Sequence, residues 1–218
     1  MSRMQKSGGI AALGEALIYI IMFVFYGAYF SYPSNSTVEE KLIYLSQNQL
    51  PLSLMNFIGY ILFGILLVVV VQSLHARLKV HSQTLTQTAS IFGLIWVGII
   101  IAAGMVANIG LQTVIGLSVT EPEQARAVWL SVSVVQESLG GGIEIVGAIW
   151  MILISIIAIK AKCLPHGLNY IGAIVGLVGV FTIYPADVFK EIFGVGQIVW
   201  FSWLGICLLR TESEGKQH

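Results

Sequence analysis

Lysine, arginine and histidine are missing from the depth of every long apolar stretch of this chain, and charge of either sign is scarce throughout. Only 10% of the 218 residues are charged, against 56% hydrophobic. Soluble domains carry about 25% charged residues, so the shortage excludes an ordinary water-soluble fold. The formal net charge is zero. No basic surface exists to displace counterions from a phosphate backbone, and no nucleic acid is expected as a partner. Two cysteines, Cys163 and Cys207, are too few for a disulfide scaffold, and reduced thiols are expected. The four histidines, His75, His81, His166 and His218, fall outside the apolar stretches, and none is spaced as a helical pair. Imidazole is the commonest metal ligand, so neither a metal site nor haem is expected, and no cofactor. No nucleophile elbow, phosphate loop or dinucleotide fingerprint occurs. The chain is therefore not expected to be an enzyme.

What the chain does have is six apolar runs: residues 10–32, 52–74, 88–112, 132–159, 167–186 and 192–209. A helix crosses the ~30 Å hydrocarbon core with about 20 apolar residues. Backbone groups in lipid must pair within their own segment, and no run shows the alternation of a barrel strand, so all six are read as helices. The fold class is all-α: a single-domain, polytopic integral membrane protein over residues 1–218, a six-transmembrane-helix bundle. The first run is longer than a signal-peptide core and ends in aromatics (Tyr26, Tyr29, Phe30 and Tyr32), so it is read as a retained helix.

Basic residues set the orientation. Arg3, Lys6, Arg77, Lys79, Lys160, Lys162, Arg210 and Lys216 lie on one side; Lys41, Arg126 and Lys190 lie on the other, eight against three. Both termini are therefore expected in the cytoplasm. Residues 33–51 run from Pro33 to Pro51, and Val38 to Leu45 within them is read as a short surface helix. The Asn35-Ser36-Thr37 triplet fits the glycosylation pattern. At Glu121-Pro122-Glu123 a helix is expected to restart, with Thr120 as N-cap. Continued to about residue 160, it would reach roughly 55 Å. Either its first turns stand outside the membrane or Gly140-Gly141-Gly142 breaks it.

Three glutamates lie inside the runs: Glu15, Glu137 and Glu144. A carboxylate in hydrocarbon costs at least ~2.5–3.5 kcal/mol, so each is functional or sheltered. Glu137 and Glu144 are seven residues apart. On an unbroken helix they share a face with Gly140, Gly141 and Ala148, a small-residue groove bracketed by carboxyls about 10 Å apart. Either the groove packs against other helices with its glutamates protonated, or it is a proton-titrating or cation-attracting site in a cavity. No intramembrane lysine or arginine is expected to pair with either glutamate. Asn56, Asn108 and Gln112, with Gln136, Tyr184 and Asp187, are placed at the same level and would line a polar vestibule. Glu15 stands apart, as an interface carboxyl with water access or a partner of Asn169 or Gln72. Gly172 and Gly176 form a Gly-x-x-x-Gly pair, a helix-contact face used within one chain or between copies; the second use would make a homo-oligomer.

Three segments carry a resemblance: Gly140-Gly141-Gly142-Ile143-Glu144-Ile145-Val146-Gly147, Leu164-Pro165-His166-Gly167-Leu168-Asn169-Tyr170-Ile171-Gly172, and Phe193-Gly194-Val195-Gly196-Gln197-Ile198-Val199-Trp200-Phe201. Over about residues 135–210 the chain resembles the bacterial six-helix membrane proteins of the domain of unknown function 4386 family. The resemblance implies the bacterial inner membrane and brings no activity with it. The expected function is binding or sensing of a small molecule, lipid or partner helix at Glu137, Glu144 and the glycine groove, in the bilayer or as an accessory subunit. The alternative is a small proton-coupled transporter: Glu144 takes the proton, Glu137 stands at the entrance, and a polar path through both leaflets includes Glu15.

Overall fold

The computed structural model describes residues 3–30 and 36–214, with side chains as far as Arg210. Tyr32, Pro33, Asn35, Lys216 and His218 lie outside the described residues, and with Asn35 the acceptor of the glycosylation triplet. Nine α-helices are found among the described residues: α1 (Arg3–Val24), α2 (Val38–Gln47), α3 (Gln49–Asn56), α4 (Phe63–Leu78), α5 (Gln83–Leu117), α6 (Pro122–Gln136), α7 (Ile145–Ala161), α8 (His166–Val180) and α9 (Asp187–Glu214). Single π-turns extend α1 over Phe25–Tyr29 and join α3 to α4 over Phe57–Leu62. The result is six stretches long and apolar enough to cross a membrane: Arg3–Tyr29, Gln49–Leu78, Gln83–Leu117, Pro122–Ala161, His166–Ile183 and Asp187–Arg210. No strand occurs among the described residues, and the protein is an all-α, multi-pass membrane bundle.

Each helix turns large apolar side chains outward where a soluble protein would place charge. Leu17, Ile65, Ile95, Ile109, Ile174 and Ile206 are all exposed. Lipid is the solvent that makes such a surface stable. The spans close into a ring. α1 packs against α9 and α4, α5 against α4 and α7, and α8 against α7 and α9. Gly9 of α1 and Gly205 of α9 face each other: a Cβ on Gly205 would come within 2.9 Å of the Gly9 carbonyl oxygen. The Gly172–Gly176 face is used within the chain. Gly172 meets Ser155 of α7 and Trp200 of α9, and Gly176 meets Ile152 and the Ala148 carbonyl.

An aromatic layer fills the centre, with one contribution or more from five of the six spans. Ring centroids run Tyr19–Phe63 at 5.5 Å, Phe63–Trp96 at 5.6 Å, Trp96–Trp150 at 5.8 Å, Trp150–Trp200 at 5.7 Å and Trp200–Phe201 at 5.1 Å, and Phe201 returns to Phe63 at 6.2 Å. Edge-on pairs of this spacing add to the packing that holds helices together where no hydrophobic effect does.

At the end distant from both termini, α2 forms the expected surface helix. Thr37 accepts from the Glu40 N–H while the Glu40 carboxylate accepts from the Thr37 N–H, a reciprocal cap. Its Leu42 and Leu45 join Leu52, Leu111, Val114 and Ala125 in a small second core. Helix α6 restarts with Pro122 in its first turn, but its N-cap is Glu121 rather than Thr120.

Candidate functional site

The fourth span is broken. Its second helix does not continue the first, because Gly140 takes φ +105° and ψ 15° and Gly142 takes φ −170° and ψ −26°. Only the first of these lies in the left-handed region, where an L side chain is disfavoured. The Glu137 carbonyl ends the first half by accepting from the Gly142 and Ile143 N–H groups. Glu144 then becomes the N-cap of α7, with φ −108° and ψ 23°. Its own N–H donates to Thr182 Oγ1 at 2.8 Å, and the Thr182 hydroxyl donates to the Gly179 carbonyl at 2.7 Å. One side chain of the neighbouring span thus secures the start of α7. Irregular backbone at membrane depth is tolerated where it lines a cavity, and here it does.

The break corrects the shared-face expectation. Glu137 and Glu144 do not look along one helical groove, because the turn at Gly140 intervenes. Glu137 is half-exposed and binds the Lys190 ammonium, which also lies 3.4 Å from Asp187 Oδ1. A lysine is therefore available to Glu137, against expectation; it belongs to the first turn of α9. Glu144 is also nearer one end of the bundle than the middle of its run. It is level with Thr182, one residue from the last residue of α8's span.

Glu144 stands at the edge of two connected cavities. One, of about 480 Å³, lies between the turns of α1 and α9 distant from the termini, bounded by Tyr19, Phe23, Tyr26, Tyr60, Glu144 and Phe193. The other, about 130 Å³, reaches inward from Tyr19, Tyr60 and Glu144 to Phe63 and Ile100 of the bundle centre. Glu144 is only partly exposed, and its Oε2 is buried without a hydrogen-bond partner. The Trp96 indole faces it without reaching hydrogen-bond geometry, and Trp96 Nε1 is itself unpartnered.

A third cavity, of about 340 Å³, shares Tyr26, Tyr60 and Gly141 with the first and adds Asn56 and Gln136. Gln136 donates to the Tyr60 hydroxyl at 2.8 Å, on the boundary between the two. Asn56 donates to Asn108 Oδ1 at 3.3 Å, and Asn108 donates to the Ser53 carbonyl at 3.4 Å. Asn56, Asn108 and Gln136 thus gather at one level. Gln112 does not join them: it is exposed on α5. Tyr184 and Asp187 are exposed too, Tyr184 lying against Phe189.

Glu15 lines none of the three cavities. It is wholly buried, and neither carboxyl oxygen has a partner. The expected partners are elsewhere: Asn169 donates to the Leu164 carbonyl, and Gln72 is exposed. Tyr19, one turn further along α1, is within electrostatic reach of both Glu15 and Glu144.

Cys163 and Cys207 are free thiols near the terminal end. Burial pushes the Cys163 thiol up from its ordinary value, with nearby Arg77 partly offsetting it. No group of three or more histidine, cysteine, aspartate or glutamate residues among the described residues is placed to hold a metal ion.

Gly140→Ala is expected to destabilise the bundle by about 1–2 kcal/mol, since a Cβ is disfavoured at that φ. Its Cβ would also come within 3.1 Å of Ile100 Cδ1. Equilibrium unfolding in mixed detergent micelles measures this; an unchanged midpoint would mean that the turn tolerates a side chain.

The family described as domain of unknown function (DUF4386) matches residues 15–210, and the chain belongs to it. The match extends back through the first four spans to Glu15. No curated protein and no solved structure matches the chain.

Proposed function

We propose that this member of the family is a small-molecule-binding membrane protein whose site is the cavity at Glu144. The observation that carries the reading is a carboxylate oxygen buried without a partner, beside a partly exposed break in a spanning helix. A buried acceptor left unmade costs about 1–3 kcal/mol, more if charged. A ligand that supplies the missing donor would recover that energy. The cavity's size falls in the ~300–1,000 Å³ range of small-molecule sites. Its place between α1 and α9 suits access from the outer membrane surface or from the adjoining lipid. Glu137, held by Lys190, has a rim role rather than a ligand-binding one.

Access from water is tested with engineered thiols in a Cys163→Ser/Cys207→Ser background, because a thiol reacts as the thiolate, which forms only where water reaches. Met22→Cys, in the cavity wall, is expected to react with methyl methanethiosulfonate. Ile20→Cys, on the lipid face of the same helix, is expected to stay inert. Equal inertness at both positions would defeat the reading.

The same proposal places both termini in the cytoplasm of a bacterial inner membrane, on the eight-to-three division of basic residues. On intact cells, Glu121→Cys in the thiol-free background should react with a membrane-impermeant maleimide and Lys79→Cys should not. The reverse pattern would invert the topology.

Proton-coupled transport is the second reading, favoured by one observation: an unpartnered carboxyl, Glu15, lies with Glu144 within electrostatic reach of Tyr19 in the aromatic layer. It requires Tyr19, Phe63 and Phe201 to part during a cycle.

A further inference from the structure

We infer that the ligand of the Glu144 cavity is a monovalent organic cation with an apolar body, such as an aryl or alkyl ammonium; this rests on the proposed binding function and names its ligand class. Three features of the cavity agree on it.

The first is charge. Glu144 is the acidic group at the inner end of the cavity, where a bound cation would find its counter-charge, and no basic side chain is bonded to it. The lysine at the mouth, Lys190, is held by Glu137 and Asp187. Glu191 adds a further carboxylate at the same mouth. Three carboxylates thus surround one ammonium there, and an anionic ligand would meet net repulsion at the rim and find no cationic partner at Glu144.

The second is the walls. Tyr19, Tyr26 and Tyr60 approach the space from α1 and from the π-turn before α4, and Phe23 and Phe193 complete it. Aromatic faces attract cations through their quadrupole, and a carboxylate ringed by aromatics is the usual recognition device for quaternary ammonium groups. The same walls are apolar, which selects a cation carrying a hydrocarbon body over a hydrated metal ion. Hard cations would need several oxygen ligands, and a single carboxylate is offered at the inner end, with Glu191 at the mouth.

The third is the unused bonding capacity at Glu144. Its Oε2 is buried and unpartnered. Glu144 is partly exposed, and rotation of its carboxyl would present this oxygen to an ammonium N–H or to the polarised methyl groups of a quaternary ammonium. A neutral hydrocarbon of the same shape would leave the oxygen unpaired.

The test uses the full chain in nanodiscs and two probes of matched shape: benzyltrimethylammonium and its neutral counterpart, neopentylbenzene. Retention is measured by equilibrium dialysis, with empty nanodiscs subtracting lipid partitioning. The cation is expected to bind saturably at one site per chain, and neopentylbenzene only to partition. Glu144→Gln should weaken cation binding about tenfold or more, because a charge-assisted contact is lost. Tyr26→Leu should weaken it about 2–5-fold through the lost aromatic face. Tyr26 is 41% exposed, so this variant keeps the test open if Glu144→Gln fails to fold. Saturable retention of neopentylbenzene equal to that of the cation would overturn the inference. So would cation affinity unchanged in both variants, or no saturable cation binding. If Met22→Cys nevertheless reacts from water, the binding function stands and only the ligand class falls. If Met22→Cys is inert as well, the site itself is lost.

Discussion

Replacing Glu15 with methionine is expected to stabilise the bundle by about 1–3 kcal/mol, the cost of a buried polar group with no partner. Glu15 has no accessible surface, and both of its oxygens lack hydrogen bonds. It is enclosed where α1 packs on α4 and α9, one turn from the Tyr19–Phe63–Phe201 contacts. Methionine has nearly the same length and no polar atom, so the space stays filled while the unmet acceptors disappear. The readout is the equilibrium unfolding midpoint in mixed micelles. A lower midpoint for Glu15→Met would mean that the carboxyl holds a bond or a water that supports the fold. A residue that weakens the structure it sits in is the kind kept for activity, since function is commonly held at some expense of stability. The companion readout is therefore any cation or proton flux the wild type supports. Stabilisation together with loss of flux would move the transport reading ahead of simple binding.

Gly176→Leu is expected to act in the opposite direction, lowering stability by about 1–3 kcal/mol as an overpacked contact. A Cβ at Gly176 would already lie 2.6 Å from Ile152 Cγ1, 3.0 Å from the Ala148 carbonyl oxygen and 3.2 Å from the Ile152 nitrogen. Two of these three neighbours are backbone, which cannot swing aside, so α8 must separate from α7. That movement has a consequence at the site. Thr182 follows α8 directly, and its hydroxyl accepts the Glu144 N–H. Loss of that bond should loosen the start of α7, so Gly176→Leu is expected to weaken ligand binding as well as the fold. Normal stability and normal binding together would show that the two helices have room to spare.

Much of this architecture is written in composition. Six runs of lipid-compatible residues define the spans, and Thr37-Val38-Glu39-Glu40 signals the short helix α2 by its capping pattern. The glycine triplet marks a weak point, but hydropathy does not say how the chain turns there. Counting seven residues from Glu137 to Glu144 puts them on one face only if the helix is continuous; a single positive φ at Gly140 removes that condition. The Lys190–Glu137 pair joins residues 53 apart, a tertiary contact that no local periodicity encodes. Its one local sign is Asp187, three residues before Lys190 on the same helix. Tyr19 and Tyr60 sit within apolar runs, where tyrosine looks like ordinary core or interface anchoring. Their part in the cavity arises from the packing of α1 beside the π-turn at Phe57–Leu62. Glu15 illustrates the same limit. Its place in a run is visible in the sequence, and its isolation is a property of three packed helices.

The central claim is that Glu144 is a water-connected ligand group rather than a sealed packing group. Difference infrared spectroscopy in nanodiscs, wild type against Glu144→Gln, tests it most directly. The neighbouring titratable groups are Tyr19, Tyr26, Tyr60, Lys190 and Glu191, with Glu137 bound to Lys190; of these only Glu191 and Glu137 can absorb as a protonated carboxyl, and Glu191→Gln and Glu137→Gln separate those signals. The account predicts a carboxyl band, absent from Glu144→Gln, that changes with bulk pH and shifts again when benzyltrimethylammonium is added. A Glu144 band that ignores both pH and the cation would contradict it.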